Sequence, residues 1–278
     1  MRCHRMKRQS LAHLPAPALA GVVREKNEAA AKAEIKNCLS DGADMIDLHL
    51  SCLEQDDVET LGRIVEFSKL PILALHYNRT YDWGDAGADE EARVASLLRA
   101  VEAGVAGIDM QGYTFDTQAR DGFHGEVLRN FMKKNPKEVV TDPAVIQKQM
   151  ELIDKVHTMG GEVLLSCHPG IVMTAEEVVE LALYLAERKP DIIKIVSVAK
   201  TEEDLVESFK AMLMLKKQVS IPVAYHANGK AGILSRTLNP AVGGQIAFCV
   251  DRFNAGSTME QIDLRTARAA VDALKRLM

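Results

Sequence analysis

The sequence predicts a single (β/α)8 barrel, and three observations support this fold class. Short apolar runs alternate with longer amphipathic stretches, which is the pattern of parallel strands connected by helices. Eight such units follow one another with no sign of a second domain, which favours a closed barrel over an open doubly wound sheet. The 278 residues, 47% of them hydrophobic, are enough to bury a large core without disulfides or metals.

The strands are predicted at the short apolar runs, and the helices at the amphipathic stretches between them. In chain order the predicted strands are Leu19–Val23, Asp44–Leu50, Pro71–Leu75, Gly107–Gln111, Val163–Cys167, Ile192–Val198, Ile221–Tyr225 and Gln245–Val250. The predicted helices are Glu28–Ser40, Val58–Ser68, Glu90–Glu102, Pro143–Met159, Ala175–Glu187, Glu202–Lys217, Gly232–Leu238 and Leu264–Leu277. Two helix starts carry an additional signal, because Thr174 and Thr201 are each followed three residues later by an acid, as in a capping box.

Two stretches fall outside this alternation. Residues 1–15 precede the first strand and are predicted to form a flexible N-terminal extension, which leaves residues 16–278 as the barrel domain. The segment Gly112–Val140 is longer than a barrel loop should be, so we expect it to carry an additional helix at Gly125–Lys134.

Composition argues against several classes of function. The net charge is −5 with acidic and basic residues mixed, and no basic stripe alternates with aromatic residues, so no nucleic acid partner is expected. No apolar run reaches the roughly 18 residues of a membrane helix. The basic N-terminus lacks the apolar stretch of a secretory signal. The five cysteines are scattered without a Cys-x-x-Cys pair, which predicts a reducing, cytoplasmic location.

One lysine lies inside a predicted strand where both faces should be apolar. Lys194 interrupts the run Asp-Ile-Ile-Lys-Ile-Val-Ser-Val, and alternation puts it on the face opposite to Ile193 and Ile195. Burial penalises an ammonium and favours the neutral amine that attacks carbonyl groups. The structural alternative is a lysine that extends to solvent from the end of its strand. Lys200, two residues beyond the strand, is the rival candidate for a reactive amine.

Polar residues at the ends of neighbouring strands could assist such a lysine, because active sites of these barrels lie at the C-terminal ends of the strands. His168 follows the fifth strand and could move protons beside the Lys194 amine, or it could cap a loop. Gln111 ends the fourth strand and could orient a neighbouring histidine by hydrogen bonding, or it could satisfy loop backbone.

Other polar residues stand at equivalent places. Asp47 and His49 share one face of the second strand, Tyr77 follows the third strand, and His226 follows the seventh. An Asp–His pair could bind a metal, but no third ligand stands at a recognisable spacing, so no metal is expected. Arg236 lies in the short helix after the seventh strand, where it could hold a substrate carboxylate bidentately or be a surface charge.

The C-terminal half resembles the type I 3-dehydroquinate dehydratase family in four motifs. The family's proton-transfer histidine lies in a segment similar to Leu-Leu-Ser-Cys-His168, and its Schiff-base lysine in a strand similar to Asp-Ile-Ile-Lys194-Ile-Val-Ser-Val. The arginine that binds the substrate carboxylate ends a segment similar to Pro-Val-Ala-Tyr-His-Ala-Asn-Gly-Lys-Ala-Gly-Ile-Leu-Ser-Arg236. The closing loop after the eighth strand resembles Ala-Gly-Ser257-Thr-Met-Glu-Gln261-Ile, so the resemblance implies that this serine and glutamine contact bound substrate.

In the first half of the chain the resemblance is weaker and the pocket residues differ. The family's Glu-x-Arg on the second strand is Asp47-Leu-His49 here, and a methionine near the end of the seventh strand is His226. The family's arginine at the end of the third strand falls near Tyr77, two residues before Arg79. The residues that bind the far hydroxyls of the substrate are therefore expected to be changed.

The resemblance implies a lyase that needs no metal or diffusible cofactor. Lys194 would condense with the ketone of 3-dehydroquinate, and His168 would remove the adjacent proton and protonate the leaving hydroxyl, giving 3-dehydroshikimate. The family pairs its histidine with a glutamate, and the residue that we match to it, Gln111, is neutral. It could orient the histidine but could not stabilise an imidazolium by charge.

Two alternatives stay open beside the dehydratase. The first is a Schiff-base lyase or aldolase of the same barrel type that acts on a different carboxylated keto-compound, which the changed pocket residues motivate. The second is a non-catalytic ligand-binding barrel. Since members of the family are commonly dimers, the resemblance also implies a homodimer.

Overall fold

The structure is a computed structural model, which describes residues 8–77, 89–116, 118–253, 257 and 260–276. Within these residues strands and helices alternate as the sequence predicts. The strands are β1 (Ala18–Val23), β2 (Met45–His49), β3 (Ile72–Leu75), β4 (Gly107–Gln111), β5 (Glu162–Cys167), β6 (Ile192–Val198), β7 (Val223–Asn228), β8 (Ile246–Val250) and the short β9 (Ile262–Asp263). The helices are α1 (Glu28–Ser40), α2 (Val58–Phe67), α3 (Glu90–Ala103), α4 (Pro143–Thr158), α5 (Ala175–Ala186), α6 (Glu202–Gln218), α7 (Ser235–Ala241) and α8 (Leu264–Lys275).

The strands form one parallel sheet that curls back on itself. Strands β1 to β7 pair in sequence order, and β8 pairs with β1 on the other side. A backbone hydrogen bond of 2.9 Å runs from Gln245, just before β8, to the carbonyl oxygen of Val223 at the start of β7. The strand order therefore returns to its starting point, and the predicted (β/α)8 barrel is confirmed.

Strands β1 to β8 bury both of their faces along nearly their whole length. Ile193 and Ile195 of β6 belong to the large apolar cluster between the strands and the helices. Ile192 belongs to a smaller cluster inside the barrel, together with Phe248 of β8. Because successive side chains of a strand point to opposite faces, Lys194 shares the interior face with Ile192.

The N-terminal segment closes the barrel at the end where the strands begin. Leu11 and Leu14 are buried in the interior cluster, and such burial contributes about 1.5–3 kcal/mol per leucine. The amide of Leu11 donates to the carboxylate of Glu162 at 2.8 Å, and the side chain of Gln245 donates to the carbonyl of Leu14 at 2.9 Å. Of the predicted extension, residues 1–15, the part from Leu11 onward is thus packed against the barrel.

Two elements near the C-terminus differ from their predicted bounds. Strand β7 begins at Val223 rather than Ile221, because Pro222 has no N–H to donate to a sheet. It ends at Asn228, since residues beyond Tyr225 continue to pair with β6. Helix α7 lies three residues later than predicted, because a 3-10 turn of three residues precedes it.

The long segment between β4 and α4 packs on the barrel without an α-helix. A 3-10 turn at Asn130–Lys134 replaces the predicted helix Gly125–Lys134, which is wrong. Gly125 has a φ of +154°, which no helix allows. The returning end of the segment is held by the buried guanidinium of Arg188, which donates to the carbonyl of Val140 at 3.0 Å.

Both predicted capping boxes are confirmed. The side chain of Thr174 accepts from the amide of Glu177 at 3.3 Å, and that of Thr201 accepts from the amide of Asp204 at the same distance. Within the part of the chain that the structure describes, no helix is long and apolar enough to cross a membrane.

Candidate active site

A group of polar side chains fills the barrel interior at the C-terminal half of the strands. Asp47 and His49 point inward from β2, Asp109 and Gln111 from β4, and Lys194 from β6, because alternate residues of a strand share one face. None of the five is more than 6% exposed. Polar groups buried this deeply are costly unless they bind one another or a ligand.

Lys194 is bound by an acid, a phenol and an aromatic ring. Its Nζ atom lies 3.2 Å from Oδ2 of Asp109 and 3.4 Å from the hydroxyl of Tyr77. The centroid of the Phe248 ring lies 4.3 Å from the same Nζ. The carboxylate and the ring face both stabilise a positive charge at this nitrogen. The rival candidate, Lys200, is exposed after β6.

Asp109 was not among the residues that the sequence predicted for the site. Its Oδ1 atom accepts from the hydroxyl of Ser166 at 2.5 Å and from Nε2 of Gln111 at 3.2 Å, while its other oxygen faces Lys194. The available signal was an acid within an apolar strand, two residues before Gln111 and therefore on the same face.

His168 lies after β5 and is connected to Lys194 by hydrogen bonds through the Tyr77 hydroxyl. Its Nε2 atom is 3.4 Å from the Tyr77 hydroxyl, which is itself 3.4 Å from Nζ of Lys194. Burial of the hydroxyl, with a smaller contribution from the charge of Asp109, raises the pKa of Tyr77 well above 10. The phenol is therefore neutral at pH 7, and its hydroxyl can both donate and accept a hydrogen bond.

The other ring nitrogen of His168 faces an acid that the sequence analysis missed. Oε2 of Glu138 accepts from the backbone N–H of His168 at 2.8 Å and lies 2.9 Å from Nδ1 of its ring. Glu138 belongs to the long segment between β4 and α4. The available signal was the length of that segment, since active-site loops follow the strands of such barrels.

Gln111 binds Arg93 and Asp109 rather than His168, so the predicted contact with the histidine is wrong. The amide oxygen of Gln111 accepts from Nη1 of Arg93 at 2.5 Å, and its Nε2 donates to the backbone carbonyl of Asp109 at 2.9 Å. The guanidinium of Arg93 is fully buried and needs acceptors, of which this amide is one. The carboxylate that contacts the His168 ring is that of Glu138.

Asp47 and His49 lie together on the wall formed by β2. Nε2 of His49 is 3.5 Å from Oδ2 of Asp47. Burial lowers the pKa of His49 more than Asp47 raises it, so the imidazole is neutral at pH 7. Oδ1 of Asp47 is buried and has no hydrogen-bond partner in the described part of the chain, which costs about 1–3 kcal/mol. A donor on a bound ligand would relieve this cost.

His226 and Arg236 lie on the side of the interior formed by β7 and α7. Burial, followed by the charges of Arg236 and Lys194, holds the pKa of His226 well below its usual 6.5. Burial also lowers the pKa of Arg236 to about 10, so its guanidinium stays charged at pH 7. Its Nη2 atom donates to Asn228 at 2.5 Å, whereas its buried Nε has no acceptor among the described residues.

The loop after β8 is described only in part. Gln261 is buried and Ser257 is partly exposed, and Arg79, two residues beyond Tyr77, lies outside the described residues. Over the described ranges, no group of three histidine, cysteine or acidic side chains is arranged to hold a metal ion.

Sequence comparisons show which known proteins this chain is similar to. The family model described as type I 3-dehydroquinase matches residues 20–278. A 3-dehydroquinate dehydratase of Desulfotalea psychrophila is 24% identical over 212 residues, which are 75% of this chain and 77% of that protein.

Solved structures show the same fold. The type I 3-dehydroquinate dehydratase of Clostridium difficile is similar with a TM-score of 0.75 and 17% identity, over 98% of this chain and 100% of that one. The 3-dehydroquinate dehydratase of Geobacillus kaustophilus has a TM-score of 0.72 and 14% identity, over 96% and 99% of the two chains. Because the family model covers nearly the whole length, this chain belongs to the type I 3-dehydroquinase family.

Proposed function

We propose that this chain is a lyase that converts 3-dehydroquinate to 3-dehydroshikimate through a Schiff base on Lys194. The observation that carries the proposal is the buried Lys194 amine, which connects through the Tyr77 hydroxyl to His168 in two steps of 3.4 Å. Family membership supports the choice of substrate, because the relatives are named for this activity.

Schiff-base formation begins with the loss of a proton from Lys194. The Tyr77 hydroxyl can accept this proton while it passes its own to Nε2 of His168. The neutral amine then adds to the ring ketone, and His168 returns the proton to the carbinolamine hydroxyl, which leaves as water to give an iminium and a neutral imidazole. Asp109 lies 3.2 Å from the nitrogen in the free enzyme, and there it would stabilise the iminium charge as it stabilises the ammonium.

Elimination follows from the electron demand of the iminium. The iminium acidifies the adjacent C–H bond, and His168 removes that proton to give an enamine. The enamine expels the β-hydroxyl, which leaves as water after protonation by His168. Hydrolysis of the conjugated iminium releases the enone product and returns the Lys194 amine, so water is lost from the substrate without any oxidation or reduction.

The substrate carboxylate would bind at the β7 and β8 side of the interior. The guanidinium of Arg236 is buried and charged, and its planar group suits a carboxylate. Ser257 and Gln261 follow β8 and would contribute neutral donors. The ring hydroxyls would then face β2 and β3, where the unsatisfied Oδ1 of Asp47 accepts a hydroxyl donor.

The remaining pocket residues would set the preference for substituents on the ring. His49, Tyr77 and His226 are neutral at pH 7, because burial lowers the pKa of both histidines and raises that of the tyrosine. Neutral hydrogen-bonding groups discriminate strongly for or against a matching hydroxyl.

We also infer a cytoplasmic homodimer that uses no metal or diffusible cofactor and serves the shikimate pathway of aromatic amino acid biosynthesis. The four cysteines that the structure describes are all free thiols, which suits a reducing compartment. The dimer rests on the resemblance to the family, and light scattering of the purified protein tests it. The lysine iminium acts as the electron sink, so the reaction requires no other electrophile.

Borohydride trapping with 3-dehydroquinate tests the proposal. Peptide mass mapping should place the reduced adduct on Lys194, and Lys194→Met should abolish it. Lys200→Met is the matched control, because that lysine is exposed just after the same strand. An adduct on Lys200 or Lys230, or no adduct, would overturn the assignment.

Turnover measurements separate the dehydratase from the two alternatives. Formation of the conjugated enone should be seen by ultraviolet absorbance, with a kcat/KM of about 10⁴ M⁻¹s⁻¹ or more for 3-dehydroquinate. His168→Ala should lower turnover by roughly 10²–10⁴-fold while the adduct can still be trapped. A higher kcat/KM for another cyclic keto-acid would indicate the Schiff-base lyase or aldolase, and adduct-free binding would indicate the ligand-binding barrel.

A further inference from the structure

We propose that Glu138, from the segment between β4 and α4, is the positioning residue of His168. In this role Glu138 selects the tautomer of the imidazole and stabilises its protonated form. The inference rests on the proposed function in one respect, namely that His168 transfers protons. The placement of Glu138 against the histidine does not depend on it.

The hydrogen bonds determine which nitrogen of His168 carries the proton. An ionised carboxylate only accepts hydrogen bonds, and Oε2 of Glu138 lies 2.9 Å from Nδ1 of the ring. Nδ1 is therefore the protonated nitrogen of the neutral imidazole. The lone pair of Nε2 then points at the Tyr77 hydroxyl, 3.4 Å away, which is the direction of the Lys194 amine. Without the carboxylate both tautomers would be available.

The same oxygen also holds the backbone at the end of β5. Oε2 of Glu138 accepts from the amide of His168 at 2.8 Å, so the ring and the main chain of the histidine are positioned by one atom. A shift of about 1 Å at a reacting group can cost on the order of 10²-fold in rate. The contact therefore matters for placement as well as for charge.

The fold holds Glu138 in a backbone conformation that is unusual for its residue type. Its φ is +60°, in the left-handed region that non-glycine residues rarely adopt. The backbone carbonyl oxygen of Glu138 packs directly on Gly112, and a Cβ atom at position 112 would lie only 2.5 Å from it. The thiol of Cys167 contacts the same carbonyl oxygen at 3.5 Å. Residues held in such conformations by their surroundings cluster at functional sites.

Glu138 provides the carboxylate in direct contact with the His168 ring in the described residues. Tyr77, after β3, faces Nε2 of His168 and is neutral. Lys194, on β6, lies beyond Tyr77, and its charge is paired with that of Asp109. His226 on β7 is neutral at pH 7, because burial lowers its pKa. The positive charge that His168 acquires when it removes the substrate proton is therefore balanced at Nδ1 by the acid from the β4–α4 segment.

Glu138→Gln tests the charge with little change of shape. We expect kcat to fall about 10²-fold with KM changed less than about threefold, because the carboxylate acts on the placement of the histidine and not on substrate binding.

Asp191→Asn is the matched control at the opposite end of the barrel. Oδ2 of Asp191 lies 2.8 Å from Nε2 of His157 and accepts the amide of Val163 at 2.7 Å, so one oxygen again bridges a ring and a backbone N–H. This variant should keep kcat within about threefold of the parent. Equal effects of the two substitutions would mean that Glu138 acts only on stability, and would overturn the proposal.

A measurement without turnover separates this inference from the proposed function. Nitrogen-15 NMR of the neutral His168 ring, assigned by comparison with His168→Gln, should show the Nδ1–H tautomer in the parent and a mixture in Glu138→Gln. An Nε2–H tautomer in the parent refutes the proposal even if the variant does not fold, and an unchanged tautomer in a folded variant refutes it as well. If 3-dehydroquinate is not converted while the Nδ1–H tautomer is found, the proposed function fails and the role of Glu138 stands.

Discussion

Replacement of Lys194 by methionine should destabilise the fold in addition to abolishing catalysis. Methionine removes the ammonium that lies 3.2 Å from Asp109, whose side chain is completely buried. The carboxylate of Asp109 then keeps only neutral donors among those described, the hydroxyl of Ser166 at 2.5 Å and the amide of Gln111 at 3.2 Å. A buried charge has lost its counter-charge, and that loss should appear in the free energy of unfolding.

The separation of the two charges gives the size of the effect. At 3.2 Å the gross attraction is about 5 kcal/mol for an effective dielectric constant of about 20. Desolvation offsets much of this attraction, and removing one partner of a buried pair typically costs about 3–5 kcal/mol. Because Asp109 keeps two neutral donors, we expect Lys194→Met to lower the free energy of unfolding by about 3 kcal/mol, the lower end of this range. Adding Asp109→Asn removes the orphaned charge and should restore at least about 1.5 kcal/mol.

Urea unfolding at pH 7 measures these differences in the free energy of unfolding. Lys200→Met is the control, and as an exposed lysine it should change the free energy by less than about 0.5 kcal/mol. A Lys194→Met protein as stable as the parent would show that the ion pair is not needed to compensate Asp109. A double variant no more stable than Lys194→Met would equally refute the reasoning.

Two further predictions concern the reaction. Arg236→Lys should raise KM for carboxylate substrates about 10-fold or more, because an ammonium cannot replace the planar bidentate guanidinium. Steady-state kinetics measure this KM, and a value equal to that of the parent would contradict the carboxylate-binding role. Tyr77→Phe should slow formation of the trappable adduct about 10-fold or more, because it removes the hydroxyl between Lys194 and His168. Quenching with borohydride at short times gives this rate, and an unchanged rate would exclude Tyr77 from the proton path.

The sequence by itself determined the fold and singled out Lys194 as the candidate reactive lysine. Strands of the barrel are buried on both faces, so they are continuous apolar runs that stand out between amphipathic helices, and most of their bounds were predicted within a residue or two. Lys194 was found for the same reason, since a charged residue is conspicuous inside an apolar strand. Similarity of local motifs was enough to select His168 and Arg236, because each lies in a short contiguous segment of the chain.

The tertiary structure alone decided the partners of these residues. Glu138 is 30 residues from His168 in a segment without periodicity, and their contact depends on a left-handed backbone packed against a glycine. Gln111 was assigned to the histidine, but the buried guanidinium of Arg93, which arrives from helix α3, takes its amide oxygen. Hydrophobic periodicity reports which faces are buried. It carries no information about which polar groups meet inside the barrel, because those pairs are chosen by the three-dimensional competition for hydrogen-bond partners.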